Sequence, residues 1–253
     1  MTTVFVSDLH LSDQTPAMVQ LFCSLLKECQ NQATALYILG DFFDAWVGDD
    51  VPDGTAKIVI TALREATSAG LPVAIQHGNR DFLLGKRFFA QTGCTLLPEE
   101  YLLNLHGQPV LLMHGDSLCT DDLAYQRFRK RSRTFLAKSL FLLRSRTKRQ
   151  AIAAHYREKS REHTAMTAES IMDVTQNAVV AIMQKHHTLH LIHGHTHRPA
   201  EHVFLLQEKE ASRTVLPAWH GTGGALICLP DGSRKTVFAR PGTSDTFLGP
   251  TAT

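Results

Sequence analysis

The sequence is poor in cysteine and has no long apolar run. Its five cysteines are scattered and never spaced as CxxC, which argues against a disulfide framework or a zinc–thiolate site and favours a reducing compartment such as the cytosol. No segment approaches the roughly 18 uninterrupted apolar residues of a membrane span. The first residues, MTTVFVSDLH, lack a basic region followed by an apolar run, so we expect no secretory signal. Internal repeats and low-complexity segments are also missing.

The composition is that of a globular protein, but its charge is unevenly distributed. The chain has 253 residues, 43% hydrophobic and 20% charged, which suits a single α/β domain with an insertion. Residues 127–161 contain 13 lysines and arginines against one acid, Glu158, a local balance of +12. The remaining chain has 13 basic and 23 acidic residues, a balance of −10. The asymmetry indicates a partner for the basic segment.

Short apolar runs that end in polar clusters recur along the chain. Their near-continuous apolar character is typical of strands buried on both faces. Helical patterns at 16–30, 55–69 and 82–91 alternate with the early runs, which predicts βαβ units whose polar ends meet at one edge of a layered α/β fold. The short strands after residue 200 predict a closing antiparallel section. The basic stretch at about 121–187 interrupts the alternation of strands and helices, which predicts an inserted helical subdomain. The five runs are TVFVSDLH, ALYILGDFFD, LPVAIQHGNRD, PVLLMHGD and LHLIHGHTH.

The polar clusters contain a set of candidate metal ligands. Each one alone has an ordinary explanation as a turn or loop residue, but five clusters at five strand ends are hard to obtain by accident. Mixed imidazole and oxygen donors favour Mn²⁺ over zinc, and their number suits two ions that share a carboxylate about 3.5–4 Å apart. Only two donors are anionic, so the loaded site is positive and suits phosphate. The candidates are Asp8, His10, Asp41, Asn79, His114, His195 and His197.

The motifs DxH, GDxxD, GN, HGD and GHTH, in this order over residues 8–197, resemble those of the calcineurin-like metallophosphoesterases. The resemblance implies a four-layer αββα sandwich, formed here by one domain over residues 1–253, with a dinuclear centre and a helical lid inserted at about 121–187. It also implies how the ligands divide between the ions, with Asp41 bridging. One ion would be held by Asp8, His10, Asp41 and His197, and the other by Asp41, Asn79, His114 and His195.

Arg80 departs from that family, which often has histidine after the Gly-Asn pair. Arginine stays protonated, so it cannot act as a general acid, but it can hold phosphate oxygens in a bidentate manner and neutralise developing charge. A reaction without a general acid needs a leaving group that departs as an anion, which indicates a phosphoanhydride. Alternatively Arg80 caps a loop, or His195 assists departure. The following residue, Asp81, is predicted to N-cap the helix of FLLGKRFF rather than to bind metal.

The basic insertion interleaves cations with an apolar set. Phe128, Phe135 and Leu142 repeat every seven residues, so the helices have a cationic and an apolar face. They could simply pack their apolar face on the core. Nucleic-acid binding fits the charge, but aliphatic clusters stack poorly on bases, and we expect no nucleic acid. A helix that lies against anionic lipid or closes over an acyl chain uses both faces, and we favour it.

The GNRD stretch, the basic-apolar insertion, VFVSDLHLS and LGDFFDAWVGDD are together similar to one subfamily, the UDP-2,3-diacylglucosamine diphosphatases of the Gram-negative lipid A pathway. The similarity implies water attack on the α-phosphorus, which releases UMP and 2,3-diacylglucosamine 1-phosphate. It also implies a cytoplasmic protein bound peripherally to the anionic inner face of the inner membrane, and no obligate protein partner is evident. The alternatives are a phosphoesterase for nucleotides or phosphoproteins, and a non-catalytic binding module.

The same similarity implies a set of substrate contacts. Asn79, Arg80 and His195 would meet the diphosphate, with Arg80 and His195 as the catalytic pair. Asp122 and Ser160 match substrate-contacting positions, although Asp122 equally suits a helix cap and Ser160 a helix surface. At two further contact positions this sequence has Thr164 and Thr167, where relatives often have larger amide or basic side chains, so its side chains reach less far there. The last candidate is Arg157, a basic residue near Ser160.

Overall fold

Parallel strands and their crossover helices form the first half of the chain. The computed structural model describes residues 2–50, 54–166 and 173–249, with backbone alone over 160–166. Each parallel strand is followed by a helix that returns over one face of the sheet, because the chain must cross back to the edge where the next parallel strand begins. The elements are β1 (Thr2–Val6), α1 (Pro16–Gln32), β2 (Ala33–Leu39), α2 (Gly54–Ser68), β3 (Val73–Gln76), α3 (Lys86–Thr92) and β4 (Thr95–Leu96).

A second sheet is built from the middle and the end of the chain. Its strands are β5 (Tyr101–Leu105), β6 (Gln108–Leu112), β7 (His190–His193), β8 (Ala200–Leu206) and β9 (Lys209–Val215). They lie in the order β5-β6-β7-β9-β8, with β6, β7 and β9 parallel. The last strands, β10 (Gly223–Cys228) and β11 (Arg234–Ala239), return to the first sheet, whose order is β11-β10-β1-β2-β3-β4. The predicted antiparallel section after residue 200 is therefore divided between two sheets.

Three apolar cores within the described part of the chain fix the layers. The crossover helices α1 and α2 bury residues such as Phe22 and Leu63 against the first sheet. Phe5 and Ile192 belong to the core between the two sheets. Val179, on α7 (Gln176–Lys185), belongs to the core on the outer face of the second sheet. The layers run helix, sheet, sheet, helix, and the predicted four-layer αββα sandwich is confirmed.

The insertion between β6 and β7 is helical, as predicted. A 3₁₀ turn (Asp116–Leu118) leads to α4 (Leu123–Ser132), α5 (Phe135–Leu142) and α6 (Arg146–Met166), and α7 follows. Large apolar side chains of this segment face solvent: Phe135 is 86% exposed and Leu143 83%. Whether the helices act as a lid stays a prediction. Among the described residues, no helix combines the length and apolar character needed to cross a bilayer.

The prediction that Asp81 caps a helix is wrong. α3 begins at Lys86, later than predicted, and the carboxylate that accepts hydrogen bonds from the amides of Arg87 and Phe88 at its start is Asp49 (3.0 Å each). Asp81 is fully buried and accepts instead from the amides of Gly78 (2.7 Å) and Phe42 (2.7 Å). Its carboxylate thus ties the loop after β2 to the loop after β3.

Candidate metal centre

The candidate ligands of all five strand ends meet at one place. The carboxyl ends of β1, β2 and β3 in the first sheet face those of β6 and β7 in the second. His197 Nε2 lies 3.2 Å from Asp8 Oδ1 and 3.4 Å from His10 Nε2. On the other side, His114 Nε2 lies 3.0 Å from Asn79 Oδ1 and 3.8 Å from a carboxylate oxygen of Asp41. The His195 ring centroid is 5.0 Å from that of His114.

Among the residues that the structure describes, two groups of donor atoms are close enough to hold an ion each. The donors of Asp8, His10 and His197 lie within 4.8 Å of one another, and so do those of Asp8, Asp41 and His114. These two groups share Asp8, whereas the family resemblance implies that Asp41 bridges. A bridging carboxylate must reach both ions, and Asp41 is in the second group only, beside His114. Its role as the bridge therefore stays a prediction.

The backbone at the ligands is held in a conformation that side chains disfavour. Asp8, His10, Asp41, His195 and His197 all have positive φ, between 48° and 70°. Such residues are uncommon outside glycine, each costs about 1–3 kcal/mol, and they concentrate at functional sites. Hydrogen bonds between adjacent loops hold two of them, from Asp8 N to the carbonyl of Gly40 (3.1 Å) and from His10 N to that of Asp41 (3.0 Å).

Two motif glycines are required because the backbone passes too close to the carboxylates. A Cβ on Gly78 would lie 2.1 Å from the amide nitrogen of Asp41, and one on Gly194 would lie 2.3 Å from Asp8 Oδ2. These distances are far inside van der Waals contact, so neither position accepts a side chain without movement of a ligand. Gly78 of the Gly-Asn pair therefore lets its loop pack against Asp41, and Gly194 of the Gly-His pair lets its loop pack against Asp8.

The pKa shifts of three candidate ligands, Asp8, His10 and His195, favour the protonation states that bind metal, whereas that of His114 does not. Burial, with a lesser contribution from neighbouring cations, lowers the pKa of His10 and of His195 to about 3, so both rings are neutral at neutral pH and can offer a lone pair. For Asp8, burial acts to raise the pKa, but the hydrogen bond from His197 and nearby imidazoles outweigh it, and the net pKa is lowered. For His114, burial acts to lower the pKa, but the nearby charges of Asp41, Asp8 and Asp116 together outweigh it, and the net pKa is raised.

The residues fit a divalent cation. The carboxylates of Asp8 and Asp41 are almost fully buried side by side, an arrangement that costs free energy unless a cation compensates it. His10 Nδ1 is buried and has no hydrogen-bond partner within the described parts of the chain. Imidazole and carboxylate donors are those of borderline and hard divalent ions.

Arg80 lies at the edge of this centre with its backbone and side chain in different roles. Its amide donates to Asp41 Oδ1 (2.8 Å), while its guanidinium lies 3.4 Å from Asp44 and 3.8 Å from Asp41. Asp44 also pairs with Arg157 of α6, so one carboxylate holds two guanidinium groups beside the ligands. This is an arrangement for binding anionic oxygens.

The other predicted contacts have mixed outcomes. Asp122 is the N-cap of α4, where its carboxylate accepts from the amide of Tyr125 (2.9 Å), which is the capping role that the sequence left open. Ser160 and Thr164 lie in α6 with side chains outside the described residues, and Thr167 lies wholly outside them. Contacts of these three with substrate therefore stay predictions.

Sequence reasoning missed His220. Its Nε2 lies 3.4 Å from His197 Nδ1, and its ring stacks 6.2 Å from that of His10. The loop is brought there by a hydrogen bond from the amide of Trp219 to the carbonyl of Asp8 (3.0 Å). The nitrogen of a ligand histidine that does not face the metal usually needs such a partner. His220 stands in none of the recognised motifs, so only its tertiary position identifies it.

The sequence is similar to those of known phosphoesterases. The family model for the calcineurin-like phosphoesterases matches residues 1–199. The UDP-2,3-diacylglucosamine hydrolases of Escherichia coli and Escherichia fergusonii are each 48% identical over 231 residues, which is 91% of this chain and 96% of theirs. A solved Vps29 from Entamoeba histolytica with zinc is 12% identical over 95% of this chain and 99% of that one, with a TM-score of 0.46, too low to carry an argument.

Proposed function

The chain belongs to the calcineurin-like phosphoesterase family, and we propose that it hydrolyses the pyrophosphate bond of UDP-2,3-diacylglucosamine to give UMP and 2,3-diacylglucosamine 1-phosphate. The observation that carries the proposal is the 48% identity to hydrolases of that name over nearly the whole of both chains. The helical insertion falls inside this span, so the likeness includes the segment expected to meet the lipid. An anhydride substrate also suits a site with Arg80 in place of a proton donor.

We propose Mn²⁺ as the divalent ion and two ions per chain. The donor set supports a divalent metal, and the mixture of imidazole with carboxylate and amide oxygens favours Mn²⁺. In this proposal Asp8, His10, Asp41 and His197 hold one ion, and Asn79, His114 and His195 hold the other together with Asp41. When bound, such ions polarise phosphoryl oxygens and lower the pKa of a water.

The side chains around the metals orient the diphosphate. Arg80 and Arg157 both pair with Asp44, and in this proposal they exchange that carboxylate for phosphate oxygens when substrate enters. Their fixed charge neutralises the phosphate that leaves, which departs as an anion and needs no proton at that moment. Asn79 offers its amide to the same group. His195, neutral because of burial, binds metal and contacts the phosphate that is attacked.

We propose that the insertion attaches the protein peripherally to the cytoplasmic face of the inner membrane. Phe135, Leu136 and Leu143 are between 67% and 86% exposed and lie in the segment that has the excess of lysine and arginine. Apolar side chains flanked by cations insert at an anionic bilayer surface. The substrate's acyl chains would be delivered from that surface.

Product identification tests the proposal. Purified protein, loaded with Mn²⁺, is incubated with UDP-2,3-diacylglucosamine in detergent micelles and ¹⁸O-labelled water. We expect UMP with the label in its phosphate, and no reaction after chelation until Mn²⁺ is restored. Label in the lipid product would place the attack on the other phosphorus. Rapid cleavage of soluble nucleotides or phosphopeptides, with the lipid nucleotide untouched, would identify a different phosphoesterase.

A further inference from the structure

A buried carboxylate beside the candidate metal centre is in neither of the two donor groups found among the described residues. Asp116 follows His114 by two residues, begins the 3₁₀ turn and is 1% exposed. Its Oδ2 accepts hydrogen bonds from Tyr125 Oη (2.6 Å), Arg129 Nε (2.9 Å) and Arg133 Nη2 (2.6 Å). Residues spaced by four lie on one face of a helix. A single carboxylate oxygen therefore accepts hydrogen bonds from Tyr125 and Arg129 on one face of α4 and from Arg133 just after its C-terminal end.

Two of these donors also contact the metal centre. The ring of Tyr125 stacks on that of His195 with centroids 6.0 Å apart and an interplanar angle of 28°. Arg133 Nη2 also donates to the carbonyl of Gly78 (3.1 Å), the residue before Asn79 and Arg80. One contact therefore reaches the end of β7 and the other reaches the end of β3.

The arrangement depends on the negative charge of Asp116. Two guanidinium groups converge on it, with side chains 12% and 16% exposed. Their other carboxylate partner, Glu99, is 47% exposed, so its interaction is weakened by water. Without the charge of Asp116, two largely buried cations would repel each other and lose their common acceptor, and α4 would leave its present position.

We propose that Asp116 is a positioning residue that couples α4 to both halves of the metal centre through Tyr125 and Arg133. The inference rests on the proposed function for its kinetic consequence, since His195 and the Asn79–Arg80 pair would act on the diphosphate. It also has a consequence that needs no substrate: the insertion helices and the ligand loops stabilise each other.

The test is Asp116→Asn, which keeps the shape and removes the charge. We expect Mn²⁺ affinity in calorimetry and kcat on UDP-2,3-diacylglucosamine to fall by about 10- to 100-fold, as for other residues that hold metal ligands in place. We expect KM to change little, and amide hydrogen exchange in residues 123–132 to become faster. Wild-type values for Mn²⁺ affinity, kcat and exchange in a folded Asp116→Asn variant would overturn the proposal.

Two other variants keep the test decisive. Glu99→Gln removes a carboxylate from the same two arginines at an exposed position, and we expect changes within about twofold. Arg133→Gln removes the hydrogen bond to Gly78 and leaves Tyr125 in place. It should therefore reproduce part of the loss of Mn²⁺ affinity and kcat, even if Asp116→Asn does not fold. Wild-type Mn²⁺ affinity and kcat in Arg133→Gln would refute the coupling. Mn²⁺ affinity and hydrogen exchange need no substrate, so they report on Asp116 even if the wild type proves inactive on the lipid nucleotide, which would refute the proposed function alone.

Discussion

At the scale of single residues, Arg80 combines a fixed backbone with an adjustable side chain. Its amide donates a hydrogen bond to Asp41, whereas its guanidinium, 25% exposed, pairs with Asp44, whose side chain is 29% exposed. In the proposed function, the backbone bond helps to hold a metal ligand, and the side chain turns from Asp44 towards an incoming phosphate. The two roles can therefore be separated by mutation.

Replacing Arg80 with alanine should remove the second role alone. We expect kcat for UMP release to fall by about 100- to 1000-fold, the usual effect of deleting one group that stabilises developing charge. Mn²⁺ stoichiometry should not change, because the amide bond to Asp41 is kept. Arg80→Lys, which keeps the charge without the planar fork, should recover only part of the rate. An unaffected kcat in Arg80→Ala would show that the side chain merely caps the loop.

Gly194 tests how closely the loops must approach. A Cβ there would lie 1.9 Å from Ser7 Oγ and 2.3 Å from Asp8 Oδ2, so Gly194→Ala should lower the free energy of unfolding by about 1–3 kcal/mol through overpacking. Urea titration measures the change. The control is Gly54→Ala, where the nearest atom is Asp13 Oδ1 at 3.4 Å and the change should stay within about 1 kcal/mol. Equal stabilities for the two variants would contradict the expected clash.

At the scale of secondary-structure elements, α6 is joined to the loop after β2 by a buried arginine. Arg149 is 2% exposed and donates to both carboxylate oxygens of Asp50 (2.8 and 2.6 Å) and to the carbonyl of Val47 (2.6 Å). The same helix presents Arg157 to Asp44. The loop after β2 thus receives the insertion at two points, and this docking orients the helix towards the metal centre.

Asp50→Asn should weaken that docking in a pH-dependent way. The hydrogen bond from Arg149, the largest influence, lowers the pKa of Asp50 to about 2. A carboxyl whose pKa is lowered by folding adds stability above its unfolded pKa and loses it as the pH falls through its folded pKa. Because Asp50 is 44% exposed and water screens the pair, we expect the free energy of unfolding of the wild type to exceed that of Asp50→Asn by only about 0.5–1 kcal/mol at pH 5, and this gap to shrink by pH 3 and close near pH 2. Urea unfolding at pH 5 and pH 3 measures it, and a constant gap would contradict the ion pair.

At the scale of the whole molecule, charge and exposed apolar surface coincide in the insertion. The balance of +12 over residues 127–161 opposes −10 elsewhere, and the exposed apolar side chains of α5 lie within the basic part. In the proposed attachment to the membrane, a surface of this kind would orient the protein on an anionic bilayer with the acidic remainder directed away. The metal centre, which contacts α4, would then lie near the lipid.

Binding to vesicles tests this orientation. Phe135→Glu and Leu143→Glu should each weaken partition onto vesicles of phosphatidylglycerol and phosphatidylethanolamine by about tenfold, because burying one such side chain contributes about 1.5–3 kcal/mol. Leu205→Glu, at a residue of β8 that is 75% exposed, is the matched control and should have little effect. Binding should also weaken between about 0.1 and 0.5 M salt. Equal losses in all three variants would refute a specific lipid-facing surface.

The sequence by itself determined the residue types at the strand ends, the alternation of strands and helices and the charge of the insertion, because periodicity, turn chemistry and composition are local properties. α1 begins at the predicted residue, Pro16. Tertiary structure decided how five strand ends divide between two sheets, that Asp49 rather than Asp81 caps α3, and that His220 and Asp116 lie beside the ligands. These are choices between partners far apart in the chain. They follow from which faces pack together, and no local pattern distinguishes one buried aspartate or loop histidine from another.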